Sequence, residues 1–251
     1  MKIPKKISPD SIKDSVVEIR YSSKIPFEVA IGFFYKSLDD TYNYTNRPIG
    51  IGKQQLTNSI PSNLQQIGIQ IANRHLFYNE KIKIELLPNS IIFNCLDSYI
   101  SWDIYQPEIE KTLSQITKAE IIENYTRVGL RYISEYPNLD LKDCLKFSFS
   151  FNMPEMKSKT YTFHSEFNQD NLKIILNLNN NIQIINSKSA SQNELGISSV
   201  SNVDIDVIME NIEEKSLESL LSKIEIVHQK EKEIFFNLLT DKFLESLNPV
   251  Y

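Results

Sequence analysis

Residues 15 to 22 alternate apolar and polar side chains. Val17, Ile19 and Tyr21 point one way and Val16, Glu18 and Arg20 the other, the period-two pattern of a strand with one covered face. Pro26 then stands at a favoured helix start, and Phe27, Ala30, Ile31, Phe34 and Leu38 recur at helical spacing. Residues 40 to 63 hold Asn, Thr, Pro and Gly without a sustained period and predict a long loop. Strands are expected near 66 to 78, 81 to 87 and 90 to 96, with Pro88-Asn89 as the turn between the last two. Ser101 caps a helix expected over 103 to 118, with Ile104, Ile109, Leu113 and Ile116 along its buried side.

The second half runs through a similar order. A strand over 126 to 133 places Val128, Leu130 and Tyr132 on one face and Gly129 and Arg131 on the other. A short helical piece follows near 139 to 145. Strands are expected near 146 to 152, 160 to 167, 172 to 178, 182 to 186 and 200 to 208. Asn179-Asn180-Asn181 is taken as a hairpin turn, and the Ser-, Asn- and Lys-rich residues 187 to 198 as an exposed loop. A last helix is predicted from about Glu214 to Ser246. Leu217, Leu220, Leu221, Ile224, Val227, Phe235, Leu238, Leu239 and Phe243 lie on or beside its stripe, and Asn248-Pro249 ends it. Such a helix would measure about 50 Å at roughly 1.5 Å per residue.

One phrase ties the halves together. Residues 17 to 26 read Val-Glu-Ile-Arg-Tyr-Ser-Ser-Lys-Ile-Pro and residues 128 to 137 read Val-Gly-Leu-Arg-Tyr-Ile-Ser-Glu-Tyr-Pro, with Val, Arg, Tyr, Ser and Pro recurring at an offset of 111 positions. The expected architecture is therefore an internally duplicated α+β fold, strand-helix-meander-helix twice. Its sheet is mainly antiparallel with the helices on one face, and residues 1–119 and 120–251 pack as one globular unit.

Hydrophobic residues make up 41% of the 251 positions and charged residues 24%, ordinary values for a chain with a real core. The net charge of −5 does not favour nucleic acid as a partner, since phosphate neutralisation needs a surplus of Lys and Arg. Cys95 and Cys144 have no metal-ligand spacing and read as reduced thiols of a cytoplasmic protein. The amino-terminal lysines have no apolar run behind them, and no stretch is long enough to span a membrane.

Arg20 and Arg131 hold equivalent places in the repeated phrase, on the face opposite the aliphatic alternation. With Glu18 they form the candidate pair, either a guanidinium site for an anionic group or a structural ion-pair lattice. A pseudo-dyad would set Arg131 beside Glu18, with Gly129 leaving room for Arg20. Asp204 and Asp206 share a strand face and form a weaker candidate for Mg²⁺, without the further acidic or Lys partners such a site needs. Trp102, the single tryptophan, is a core anchor or a ligand platform. His75, His164 and His228 lie in no zinc-binding or nucleophile-activating context, and His228 reads as a residue at the boundary of its stripe. Glu218, Glu225, Lys230, Lys232 and Glu233 read as the solvated face of the last helix. No catalytic set, metal or cofactor is expected.

The opening Pro4-Lys5-Lys6-Ile7-Ser8-Pro9-Asp10-Ser11-Ile12 with Val17-Glu18-Ile19-Arg20-Tyr21, the central Arg127-Val128-Gly129-Leu130-Arg131-Tyr132-Ile133 and the closing Asp204-Ile205-Asp206, His228, Phe235 and Leu239-Thr240-Asp241-Lys242 resemble, in order, a sporadically distributed bacterial family with no established activity. Ser134 departs from that pattern, which continues with Asn. The patchy distribution of the family implies an accessory role in a toxin–antitoxin or phage-defence locus. The resulting expectation is a non-enzymatic interaction or sensor protein acting through a protein partner or as a homo-oligomer. The alternatives are a small-ligand-binding helix-covered sheet and a metal-dependent hydrolase using Asp204 and Asp206.

Overall fold

The computed structural model describes residues 2–48, 73–148, 158–186 and 196–251. Strands β1 (Ile12–Ser23), β2 (Asn43–Pro48), β3 (Asn73–Tyr78), β4 (Ile82–Leu87) and β5 (Ser90–Cys95) come from the first half, with helices α1 (Phe27–Leu38) and α2 (Trp102–Thr117). The second half supplies β6 (Ile122–Pro137), β7 (Tyr161–Gln169), β8 (Leu172–Asn186) and β9 (Gly196–Glu214), with helices α3 (Leu141–Cys144), α4 (Leu217–Leu238) and α5 (Asp241–Ser246). All nine described strands join one antiparallel sheet in the order β2-β3-β4-β5-β1-β6-β9-β8-β7. The fold is α+β. No helix among the described residues is long and apolar enough to cross a membrane.

The two phrase-bearing strands pair with each other at the centre of the sheet. Val17 faces Leu130, Glu18 faces Gly129, and Ile19 faces Val128. Moving each of these residues by the 111-residue offset carries the register onto itself, with the Glu18/Gly129 pair at its midpoint.

Alternation decides which face is covered. Val17, Ile19, Val128, Leu130, Phe93, Ile84 and Val207 are wholly buried on one face, each contributing about 1.5–3 kcal/mol of apolar burial. The helices close over that side. Phe34 of α1 meets Tyr21 edge-on with ring centroids 6.0 Å apart, α4 lies across β6 and β9, and Phe243 of α5 packs on Tyr136. No described helix packs on the other face, which carries the charged positions of β1, β6 and β9.

Four local expectations are corrected. Part of the expected loop over 40 to 63 is strand β2, while residues 49–72 lie outside the described residues, as do most of the strand expected at 146 to 152 and most of the loop at 187 to 198. In α2 the buried stripe is Tyr105, Ile109, Thr112, Leu113 and Ile116, and Ile104 is exposed. Asn179-Asn180-Asn181 is not a hairpin turn. The strands either side of it are one continuous β8, and Asn180 and Asn181 together oppose Ser201 as a bulge. Asn181 takes the left-handed φ of 52° that asparagine tolerates, and buried Asn180 accepts a hydrogen bond from the Leu141 backbone N–H at 2.8 Å.

The last helix starts at Leu217, because Glu214 still belongs to β9, and it breaks after Leu238. Leu239 is extended and bridges Leu145, with Thr240 N–H donating to the Cys144 carbonyl and Lys146 N–H to the Leu238 carbonyl, both at 2.7 Å. Thr240 then caps α5. At 22 residues, α4 spans about 33 Å, at roughly 1.5 Å per residue, rather than 50 Å.

Candidate functional site

The charged face and a cleft on the helix side both gather residues that sequence reasoning singled out. On the charged face Glu18 sits between two arginines. It accepts from Arg20 Nε at 3.0 Å and from Arg127 Nη1 at close range. Arg127 was not anticipated. The side chain over Gly129 is Arg127 rather than Arg20, and a Cβ at Gly129 would meet its guanidinium at 3.6 Å, an ordinary contact. The signal was the Arg127-Gly129-Arg131 alternation.

Arg131 does not meet Glu18. It binds Asp204 bidentately, Nε to Oδ1 and Nη2 to Oδ2, both at 2.7 Å. Asn177 Nδ2 donates to the same carboxylate at 3.1 Å. In register Arg20 faces Arg127 and Arg131 faces Val16, four positions along, which is about 13 Å at the strand rise. The two arginines thus belong to separate ion pairs. Hydrogen bonding to Asp204 raises the already high pKa of Arg131.

Asp206 lies on the same face as Asp204. Burial pushes its carboxyl up to about 6, with Arg127 and Arg131 opposing the rise and Asp204 and Glu18 adding to it. Arg131 engages both oxygens of Asp204, while Asp206 feels Arg127 and Arg131 only at longer range. No group of three His, Cys, Asp or Glu among the described residues is placed to hold a metal.

The second site is a cleft of about 490 Å³ bounded by the amino-terminal segment, the start of α2 and the middle of α4. Backbone pairing with the chain's last residues fixes the segment. Lys5 N–H donates to the Val250 carbonyl at 2.7 Å, Val250 N–H to the Lys6 carbonyl at 2.8 Å, and Ser8 N–H to the Leu247 carbonyl at 2.7 Å.

Trp102 opens α2 and stacks on His228 of α4, with ring centroids 3.9 Å apart and planes 17° from parallel. Its Nε1 donates to Glu225 at 2.9 Å, and Gln229 Nε2 donates to the other oxygen at 2.6 Å. Burial works to raise the Glu225 carboxyl. The hydrogen bonds from Gln229 and Trp102, together with His228, outweigh it and hold the group below its ordinary value. Glu225 is therefore a structural acceptor as well as part of a solvated face.

His228 is no boundary residue. It is only 3% exposed, its Nδ1 stops 3.6 Å from Glu225, and burial pushes its pKa down to about 4, so the ring is neutral at pH 7. Beside it Tyr99 and Tyr132 share a hydroxyl–hydroxyl hydrogen bond at 3.2 Å.

Glu231 lines the same cleft and is 3% exposed. It has no hydrogen-bond or ion-pair partner among the described residues. Burial pushes its carboxyl up to about 8, Lys232 pulling against the rise and Asp10 adding to it. Sequence reasoning passed over it, although it continues the spacing of Leu220, Ile224 and Val227 and so occupies a position where the stripe calls for an apolar side chain.

Compared with known proteins, the chain matches no family model and no curated sequence.

Proposed function

We propose that this is a non-enzymatic binding protein that holds a small molecule in the cleft between α2, α4 and the amino-terminal segment. The observation that carries this reading is Glu231, an ionisable side chain 3% exposed with no partner among the described residues, lining a cavity of about 490 Å³ beside Trp102, Tyr99 and Tyr132. A buried polar group without a partner costs free energy in every protein that keeps it, and a ligand that pairs with it removes that cost. Small-molecule sites combine apolar and aromatic walls with converging polar groups, and this cleft sets Tyr99, Trp102, Tyr132, Phe235 and Phe236 among charged and amide side chains.

A second reading, action through a protein partner or a second copy of the chain, is favoured by the charged sheet face. Arg20 and Arg131 remain 48% and 44% exposed there, and no described helix covers them. Native mass spectrometry of the gently purified chain separates the two. Excess mass that disappears in Trp102→Ala supports the cleft, while a bare chain mass with a stoichiometric protein partner supports the sheet face. A toxin–antitoxin or phage-defence setting fits either reading and is tested by the genes beside this one. We further infer that the halves descend from one duplicated unit, which the self-mapping register of β1 and β6 supports. A crystal structure in which residues 17–37 and 128–145 fail to superpose would overturn it.

A further inference from the structure

Resting on the cleft as a ligand site, we infer that its ligand is a small organic amine, bound with its ammonium group on Glu231 and its body against the aromatic wall. The neighbouring carboxylate Glu225 already accepts from Trp102 and Gln229, and the Tyr99 and Tyr132 hydroxyls share one hydrogen bond, which leaves the accepting hydroxyl's proton free to donate. Among the described residues that line the cleft, Glu231 is the buried carboxyl without a hydrogen-bond or ion-pair partner, beside His228 Nδ1, which also lacks a hydrogen bond, while Asp10 accepts from the Ile12 N–H.

An ammonium group supplies charge-assisted hydrogen bonds to a carboxylate and is attracted to the faces of Trp and Tyr rings. A ligand carboxylate or phosphate at the same place would meet the Glu225 and Asp10 carboxyl groups instead, and could accept a hydrogen bond from Glu231 only while that carboxyl keeps its proton. Lys5, Lys6 and Lys232 also line the cleft, and the exposure of Lys5 and Lys6 puts those two at its rim. Repulsion from these lysines selects against polyamines and for a single amine, with a body that is neutral or carries an acid.

Around Glu231 stand Asp10 and the two lysines of the amino-terminal segment, Glu225, His228 and Lys232 of α4, Asp103 of α2, and Tyr99 and Tyr132. His228 titrates near 4, and the tyrosines titrate well above neutrality because of their burial. Between pH 6 and 8 the change in binding therefore belongs to Glu231. At pH 7 its carboxyl is protonated in the free protein. Pairing with an ammonium ionises it, and the proton leaves to solvent.

The test is ligand-observed NMR on the full chain with 2-phenylethylamine, tryptamine and cyclohexylamine, each beside its matched carboxylate and alcohol, with Trp102 fluorescence to place the binding. We expect the amines to bind in preference to their matched partners, more tightly at pH 8 than at pH 6. Binding should weaken at least about tenfold in Glu231→Gln, and calorimetry in phosphate and Tris should report proton release. Carboxylates or alcohols that bind as well as the amines, or amine binding unaffected by Glu231→Gln, overturn the inference while leaving the cleft as a site. If no probe of any charge binds or perturbs Trp102, the amine inference and the cleft reading fall together.

Discussion

Glu231→Gln should make the protein more stable at neutral pH, by an amount that grows with pH. A carboxyl whose folded pKa is near 8, against an ordinary 4.5, binds a proton in the folded state that the unfolded chain has already released. Stability attached to this group is therefore fully present below pH 4.5, falls as pH rises, and is lost once pH passes 8. Each pH unit inside that window is worth 1.36 kcal/mol, so the penalty is about 3 kcal/mol at pH 7 and about 5 kcal/mol above pH 8. Glutamine keeps the shape and stays neutral, so the variant escapes the penalty. Urea denaturation of both proteins at pH 5, 6, 7 and 8, with the difference in unfolding free energy plotted against pH, reads the effect directly. Titrations common to both chains cancel in that difference. A difference that stays constant from pH 5 to pH 8 would refute the reasoning, because it would mean that Glu231 ionises freely in the folded protein.

Arg131→Ala strips Asp204 of its bidentate partner. Asp204 is buried but keeps Asn177, and Arg131 is 44% exposed, so we expect a loss of about 1–2 kcal/mol by chemical denaturation. Most of that loss should return in the Arg131→Ala, Asp204→Asn double variant. Acid titration of Trp102 fluorescence should show a transition near pH 4 as the stacked His228 ring gains its proton, and His228→Phe should abolish it. Millimolar Mg²⁺ should leave the melting temperature unchanged, since Arg131 holds both Asp204 oxygens. A rise lost in Asp204→Asn would support the metal-site reading.

The period-two alternation of β1 and β6, the helical stripe of α1 and, apart from Ile104, that of α2 were legible in the sequence, because both patterns depend on the spacing of apolar residues within one segment. The shared phrase also placed Arg20, Glu18 and Arg131 on a single sheet face, since alternation is a local property. Their partners were a different matter. Arg131 finds Asp204 across 73 positions of chain, and Arg127 takes Glu18 only because β1 and β6 pair at the Glu18/Gly129 register. A register between strands is set by all their contacts together and is written in no short segment. The asparagine bulge shows the same limit. Three asparagines in a row satisfy a turn and a bulge equally well, and buried Asn180 is fixed by Ser201 and Leu141 from elsewhere in the fold. Glu231 is the clearest case. Its spacing placed it on the buried stripe while its charge argued for solvent. The packing of α4 against the sheet, the amino-terminal segment and α2 resolved that conflict in favour of burial, and the cleft exists because of it.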